Sequence, residues 1–278
     1  MILTSENYYS REANMAYLSV SQFKAFDRCE AAALAQLRGD YTPAASVAML
    51  VGGYVDAWFA GELPLFQAQH PEIFKRDGTL RNEYIKAQDI IARMEEDGLF
   101  SLLMGGAKQV ILTGEIAGVP FKGKIDSLLD AAACREIVRR YPKTRAVLGE
   151  LPRGAIVDLK VMRDLLPVWS EEDHCKLPFV EAYGYDLQGG VYRALEGHGL
   201  PFILAVGTKE NEPDLAALSI SDADLTAGLC QVEDRAPRYQ AIKAGEIAPR
   251  RCERCDYCRA TRVLTGITDY RELGGTDE

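Results

Sequence analysis

The sequence is short of the residues and runs that mark secreted, membrane-spanning and histidine-based metal proteins. Among its 278 residues there are three histidines and two tryptophans. His70, His174 and His198 have no ligand-like spacing and are expected on the surface or in loops. No stretch approaches the ~20 uninterrupted apolar residues of a spanning helix, so no membrane span is expected. Met1 to Ser10 is polar, without a basic start followed by an apolar run, which argues against a signal peptide and makes the cytoplasm the expected location. The cysteines number seven; an odd count without a secretion signal argues against a disulfide framework. Basic charge is also in deficit. Lysine and arginine total 32 against 41 acidic residues, a net charge of −9. That balance argues against a general nucleic-acid coat protein. It leaves room for an enzyme whose acidic metal ligands concentrate negative charge beside a locally basic groove. No internal repeat or low-complexity tract is present.

What remains is enough for one sizeable core, since 47% of residues are hydrophobic. Ser19 to Cys29 reads as a helix capped by Ser19 or Ser21, with Phe23 and Phe26 on one face. Residues 44–60 give a second, small and apolar helix containing Gly52, Asp56 and Trp58. Residues 80–104 read as one longer amphipathic helix ended by Gly105-Gly106. The period then changes. Gln109–Glu115 and Val119–Leu129 read as a hairpin turning at Ala117-Gly118. Residues 131–150 read as a helical insertion, and Ala155–Val161 as a mostly apolar strand from the middle of a sheet. A helix over 179–197, strands at Phe202–Gly207 and Leu215–Ile220, and a helix over 222–244 complete the pattern. This order predicts one α/β domain with a mixed central sheet flanked by helices. Its parts are an N-terminal helical region (1–107), a core (108–245) and a cysteine-bearing tail (246–278).

Two basic stretches run against the overall charge. One holds Arg135, Arg139, Arg140, Lys143 and Arg145; the other runs from Arg235 to Arg262. The second is a candidate for phosphate contact, with a solvated surface as the plain alternative.

The densest chemistry is Val157-Asp158-Leu159-Lys160. In a strand, positions two apart face the same way, so Asp158 and Lys160 project together. A carboxylate and an ammonium on a buried strand are costly unless they bind something. A divalent metal and an attacking water would use both; an ordinary strand-end ion pair is the plain reading. Gly123-Lys-Ile-Asp126 ends the preceding strand and supplies a second carboxylate. Two carboxylates from neighbouring strands suit Mg²⁺, which completes its shell with water and phosphate. Gln188 and Tyr192 lie one turn apart on a helix face, where they could hold a phosphate or orient the strand. Separately, Cys252-Glu-Arg-Cys255-Asp-Tyr-Cys258 places three thiols at metal-ligand spacing. Tetrahedral zinc and a 4Fe–4S cluster both require a fourth ligand.

The ordered set G-x-x-D, D-x-K and Q-x-x-x-Y resembles the PD-(D/E)XK nuclease superfamily, in particular its RecB-like and phage RecE-like exonuclease branch and the CRISPR-associated iron–sulfur nucleases. The resemblance spans roughly residues 17–262. It implies a restriction-endonuclease-like fold and a Mg²⁺- or Mn²⁺-dependent deoxyribonuclease acting at DNA ends, leaving a 5′-phosphate and a 3′-hydroxyl. Asp126, Asp158, Lys160, Gln188 and Tyr192 fall on its catalytic motifs. The family's first motif pairs a glycine with a metal-binding histidine four residues on; here Gly52 is followed by Asp56, which implies a harder ligand set of Asp56, Asp126 and Asp158. Val161 stands where many relatives carry threonine, and the insertion at 131–150 is longer than a simple connection. The resemblance also implies that Cys29 joins Cys252, Cys255 and Cys258 around a 4Fe–4S cluster, with structural Zn²⁺ as the alternative. Cys134, Cys175 and Cys230 are expected to be ordinary thiols. Implied partners are DNA, a single-strand annealing or recombination protein in a phage setting, and a second copy of the chain. The competing reading is a non-catalytic iron–sulfur or zinc module for DNA binding or assembly on the same fold.

Overall fold

The computed structural model describes residues 1–171, 174–267 and 269. Serine side chains open the first helices. Ser10 caps α1 (Arg11–Ala16) by accepting the Ala13 N–H, and Ser19 caps α2 (Val20–Arg28) by accepting that of Gln22. Phe23 and Phe26 are buried, as their spacing predicts, and Cys29 ends the helix in extended conformation. α3 (Glu30–Arg38) follows at once; α4 (Val47–Ala60), capped by Ser46, and α5 (Leu63–Gln69) come next.

The long helix expected over 80–104 is instead two, α6 (Asn82–Glu96) and α7 (Gly98–Leu103). Asp97 divides them. Its carboxylate accepts the N–H groups of Leu99 and Phe100 at 3.1 and 2.9 Å, so it serves the second piece as an N-cap. A short acidic side chain competes with the helical ladder in just this way.

β1 (Ala107–Ile116) and β2 (Val119–Asp130) form the predicted hairpin. Ala117 and Gly118 turn it with φ values of 50° and 75°, the doubly left-handed geometry that matches strand twist. α8 (Ala131–Arg140) and α9 (Arg145–Leu148) fill the predicted insertion. β3 (Gly154–Met162) is followed by a small hairpin, β4 (Val168–Ser170) and β5 (Cys175–Leu177), which the sequence pattern does not announce. The helix predicted over 179–197 is again two, α10 (Phe179–Ala182) and α11 (Tyr185–Glu196), because Gly184 takes a left-handed φ of 60° between them. β6 (Phe202–Thr208), β7 (Leu215–Ser219), α12 (Asp222–Ala244) and α13 (Asp256–Ala260) finish the chain.

The five long strands make one mixed sheet in the order β1-β2-β3-β6-β7, with only β3 and β6 parallel. β3 is central, which explains its apolar run: residues 154–159 are all buried. On one face Ile156, Leu204 and Val206 pack with Phe23, Val191, Leu225 and Tyr239 of α2, α11 and α12. On the other, Val157, Leu159 and Ala205 pack with Tyr54, Ile90, Met94 and Ile137 of α4, α6 and α8. Each fully buried large apolar side chain contributes about 1.5–3 kcal/mol, so both layers are held firmly on the sheet. Among the described residues no helix is long and apolar enough to cross a membrane.

One irregularity in the sheet positions the site. The β2–β3 ladder runs only from Asp130↔Gly154 to Ser127↔Val157. Beyond Ser127 the two strands part, and the next β3 amide to face β2, that of Leu159, is taken by the side chain of Asp126 at 2.8 Å.

Candidate active site

The gap between β2 and β3 opens into a cleft of about 740 Å³. The predicted carboxylates, Asp56, Asp126 and Asp158, all line it, together with Lys160, Gln188 and Tyr192. Four elements bring these side chains: α4 brings Asp56, β2 brings Asp126, β3 brings Asp158 and Lys160, and α11 brings Gln188 and Tyr192, while α1, α2 and α3 form part of the wall.

Asp158 is the most enclosed of the acids, 1% exposed. Gln188 Nε2 donates to its Oδ1 at 2.7 Å. Its Oδ2 is buried and paired with the Lys160 ammonium. Burial raises the pKa of Asp126 well above the usual carboxylate range, and the neighbouring charges of Asp158 and Asp56 raise it further, against the pull of Lys160 and the Leu159 amide. Burial raises Asp56 too, opposed by Lys124 and Lys160 and reinforced by Asp158. Burial by itself would lower Lys160; the charges of Asp158 and Asp126 outweigh it and hold the side chain as an ammonium. The three acids bring oxygen donors, the ligand type of a hard divalent cation, to one cleft, but their carboxylate oxygens do not all lie within 4.8 Å of one another as the cysteine sulfurs do. Packing explains the glycine of the G-x-x-D motif. A Cβ at Gly123 would stand 3.0 Å from the Tyr192 ring, tighter than ordinary contact, so the bare position lets that ring lie close over β2.

The cleft also contains residues that the sequence reading missed: Tyr8 and Tyr9 before α1, Lys24 on α2, and Lys122 and Lys124 on β2. Lys122, Lys124 and Asp126 alternate along β2, a period-two signal that was available in the sequence. Nothing local to Tyr8-Tyr9 marks them. Burial and the nearby Lys160 lower Lys24 to about 8, and burial lowers Lys122 to about 8.

The four cysteines meet away from this cleft. Cys29, Cys252, Cys255 and Cys258 bring their sulfurs within 4.8 Å of one another, the one such close group of three or more potential ligands among the described residues. Cys29 Sγ lies 3.6 Å from Cys258 Sγ, and Cys252 Sγ 4.0 Å from Cys258 Sγ. Four thiolates bound at ~2.3 Å to one tetrahedral ion stand about 3.8 Å apart, so the quartet fits a four-coordinate metal centre. Glu30, beside Cys29, supports it. Its carboxylate takes both Nε and Nη2 of Arg238, at 2.7 and 2.9 Å, and the Arg250 amide at 2.6 Å. Cys134 is a buried core thiol, whereas Cys175 and Cys230 are exposed.

Several residues of the second basic stretch are paired within the chain. Arg235 pairs with Asp27, Arg238 with Glu30, and Arg251 and Arg262 with Glu253. In the first stretch, Arg139 and Arg140 both pair with Glu136. His70 and His198 pair with Glu72 and Glu196 and do not enter the cleft.

Comparison with known proteins agrees with this geometry. Residues 19–134 and 146–261 match a PDDEXK-like domain of unknown function (DUF3799). The residues between the two matched segments, 135–145, fall within the helical insertion of α8 and α9. A solved structure, a "Putative exonuclease" from Eubacterium rectale, is 40% identical, with a TM-score of 0.86 over 99% of this chain and 98% of its own. No curated protein matches. Family and neighbour together support a nuclease in general. With its central mixed sheet, its D-x-K strand and a match covering most of its length, the chain belongs to the PDDEXK-like family.

Proposed function

We propose that the protein is a Mg²⁺- or Mn²⁺-dependent exonuclease that hydrolyses phosphodiester bonds at DNA ends, in the manner of the RecE-like branch it resembles. The observation that carries this reading is the buried Asp158, its Oδ1 held by Gln188 and its Oδ2 paired with Lys160, in a cleft shared with Asp126 and Asp56. Asp56, Asp126 and Asp158 would hold the cation through oxygen, as hard ions require. When bound, it supplies Lewis acidity and an activated water for in-line attack. The chain's own residues do the rest. Gln188 fixes the rotamer of Asp158 through its amide. The Lys160 ammonium reaches into the cleft to orient the water and to offset charge on the phosphate. Tyr192 forms the wall over Gly123 and keeps bulk water from the acids.

The cysteine quartet is assigned a structural metal centre. The C-x₂-C-x₂-C run with a distant fourth cysteine favours a 4Fe–4S cluster. The close sulfur spacing favours a single Zn²⁺ as the second reading. Metal analysis of anaerobically prepared protein decides between them. A phage recombination setting, with a single-strand annealing protein or a second copy as partner, follows from the same resemblance.

The test is a cleavage assay on end-labelled duplex and single-stranded DNA with Mg²⁺ and Mn²⁺ compared. Stepwise shortening from an end that requires the added metal is the expected result. Tight DNA binding with no metal-dependent cleavage would overturn the enzymatic reading and leave a DNA-binding module of the same fold.

A further inference from the structure

Tyr8, Tyr9, Arg11 and Asn14 of the N-terminal segment line the cleft and bring to it a ring that the fold does not bury. Tyr8 is enclosed, whereas Tyr9 is 69% exposed, yet both line the cleft that holds Asp126 and Asp158. The two rings meet edge to face, with centroids 4.9 Å apart and planes at 83°. The backbone beneath them is anchored. Lys122 Nζ donates to the Tyr8 carbonyl and, at 2.7 Å, to Asn14 Oδ1. Asn14 Nδ2 donates in turn to the Tyr9 carbonyl at 3.1 Å. Leu18 pairs with the start of β2, its N–H donating to Pro120 at 2.8 Å and its carbonyl accepting from Lys122 at 2.9 Å. Tyr9 is thus held in place without contributing a buried side chain to the core.

Its surroundings suggest a use. Lys124 Nζ lies 4.8 Å from the centre of the Tyr9 ring, and Lys124 is two residues from Asp126 on the same side of β2. Along the wall the order is exposed ring, ammonium, metal-type carboxylate. Unpaired nucleotides are bound by this combination, with a π-face for the base and a cation for the phosphate. Paired bases inside a duplex are stacked on each other and cannot use it. From this geometry we infer that Tyr9 is a stacking platform for an unpaired nucleobase beside the scissile phosphate, with Lys124 contacting the adjoining phosphate. The substrate that enters the cleft is then a single strand, or the frayed strand of a duplex end. This inference rests on the nuclease reading and specifies its substrate.

Binding and cleavage separate the two claims. Anisotropy of labelled single-stranded oligonucleotides is measured in EDTA, with one abasic position scanned along the strand. Wild type, Tyr9→Phe and Tyr9→Ala are compared. Wild type and Tyr9→Phe should bind about tenfold more weakly when the base at one particular position is missing. Tyr9→Ala should bind the intact strand about as weakly and be indifferent to the abasic site. With Mg²⁺ present, Tyr9→Ala should raise KM for single-stranded ends and leave kcat near that of wild type. A Tyr9→Ala protein that keeps the base preference, or a wild type that shows none, overturns the platform. Absence of cleavage by wild type would defeat the nuclease reading, while the EDTA arm would still judge Tyr9.

Discussion

Asp158, Lys160 and Gln188 illustrate how neighbouring side chains carry different costs when removed. Asp158→Ala takes away a buried carboxylate of the cleft and leaves the Lys160 ammonium without its partner. Lys160→Ala leaves two acids facing each other with their compensating charge gone. Each should reduce cleavage by at least about 100-fold, the scale of losing a charge-stabilising group in a closed site, while DNA binding measured without metal is largely kept. Near-wild-type turnover by either variant would show that the site is misassigned. Gln188 acts through Asp158, to which it donates at 2.7 Å. Groups that orient a metal ligand typically cost 10–100-fold in metal affinity when removed, so Gln188→Ala should need more Mg²⁺ and recover activity as Mg²⁺ is raised. A loss as deep as that of Lys160→Ala, with no recovery, would mean that Gln188 does more than hold Asp158.

At the scale of elements, α11 reaches the cleft because α12 lies against it backbone to backbone. A Cβ on Gly190 would stand 2.3 Å from the Leu225 carbonyl oxygen, and one on Gly228 would stand 2.6 Å from Leu187 Cα. Backbone cannot move aside as a flexible side chain can, so Gly190→Ala should destabilise by about 2–3 kcal/mol. It should also lower activity by tilting Gln188 away from Asp158. Chemical denaturation reads the first effect and Mg²⁺ titration of cleavage the second; an unchanged midpoint would show that the two helices separate freely. Much at this scale is legible in the sequence, because the signals are local. The Ala117-Gly118 turn, the serine cap of α2 and the mostly apolar run of β3 each depend on a few adjacent residues. The helix breaks at Asp97 and Gly184 are less legible, since each residue also fits a continuous helical pattern until its cap or left-handed turn is seen. The placement of Tyr8 and Tyr9 is not legible at all. It depends on Lys122, more than a hundred residues away, reaching back to the Tyr8 carbonyl.

Across the whole molecule the cysteine quartet ties together the region after α2 and the end of the chain. Cys29 precedes α3 directly, while Cys255 caps α13 by accepting the Cys258 N–H. Between Cys29 and Cys252 lie more than two hundred residues, including the whole sheet. A metal bound by all four thiolates therefore constrains nearly the full chain when it unfolds, and binding is coupled to folding. Cross-links closing long loops contribute about 3–5 kcal/mol, which for a chain of this size corresponds to a drop in Tm of roughly 10 °C when the link is lost. Cys29→Ser and Cys255→Ser should thus lose metal to the same extent and melt at similarly lowered temperatures, although they sit at opposite ends of the sequence. Removing the metal from wild type with a chelator should reach the same Tm. The aspartate cleft shares no ligand with the quartet, so the folded fraction of either variant should keep its Mg²⁺-dependent cleavage. Full metal content in Cys29→Ser would separate Cys29 from the centre and leave the tail cysteines with a different fourth ligand. Equal metal loss without any change in Tm would leave the quartet bound but without a stabilising role.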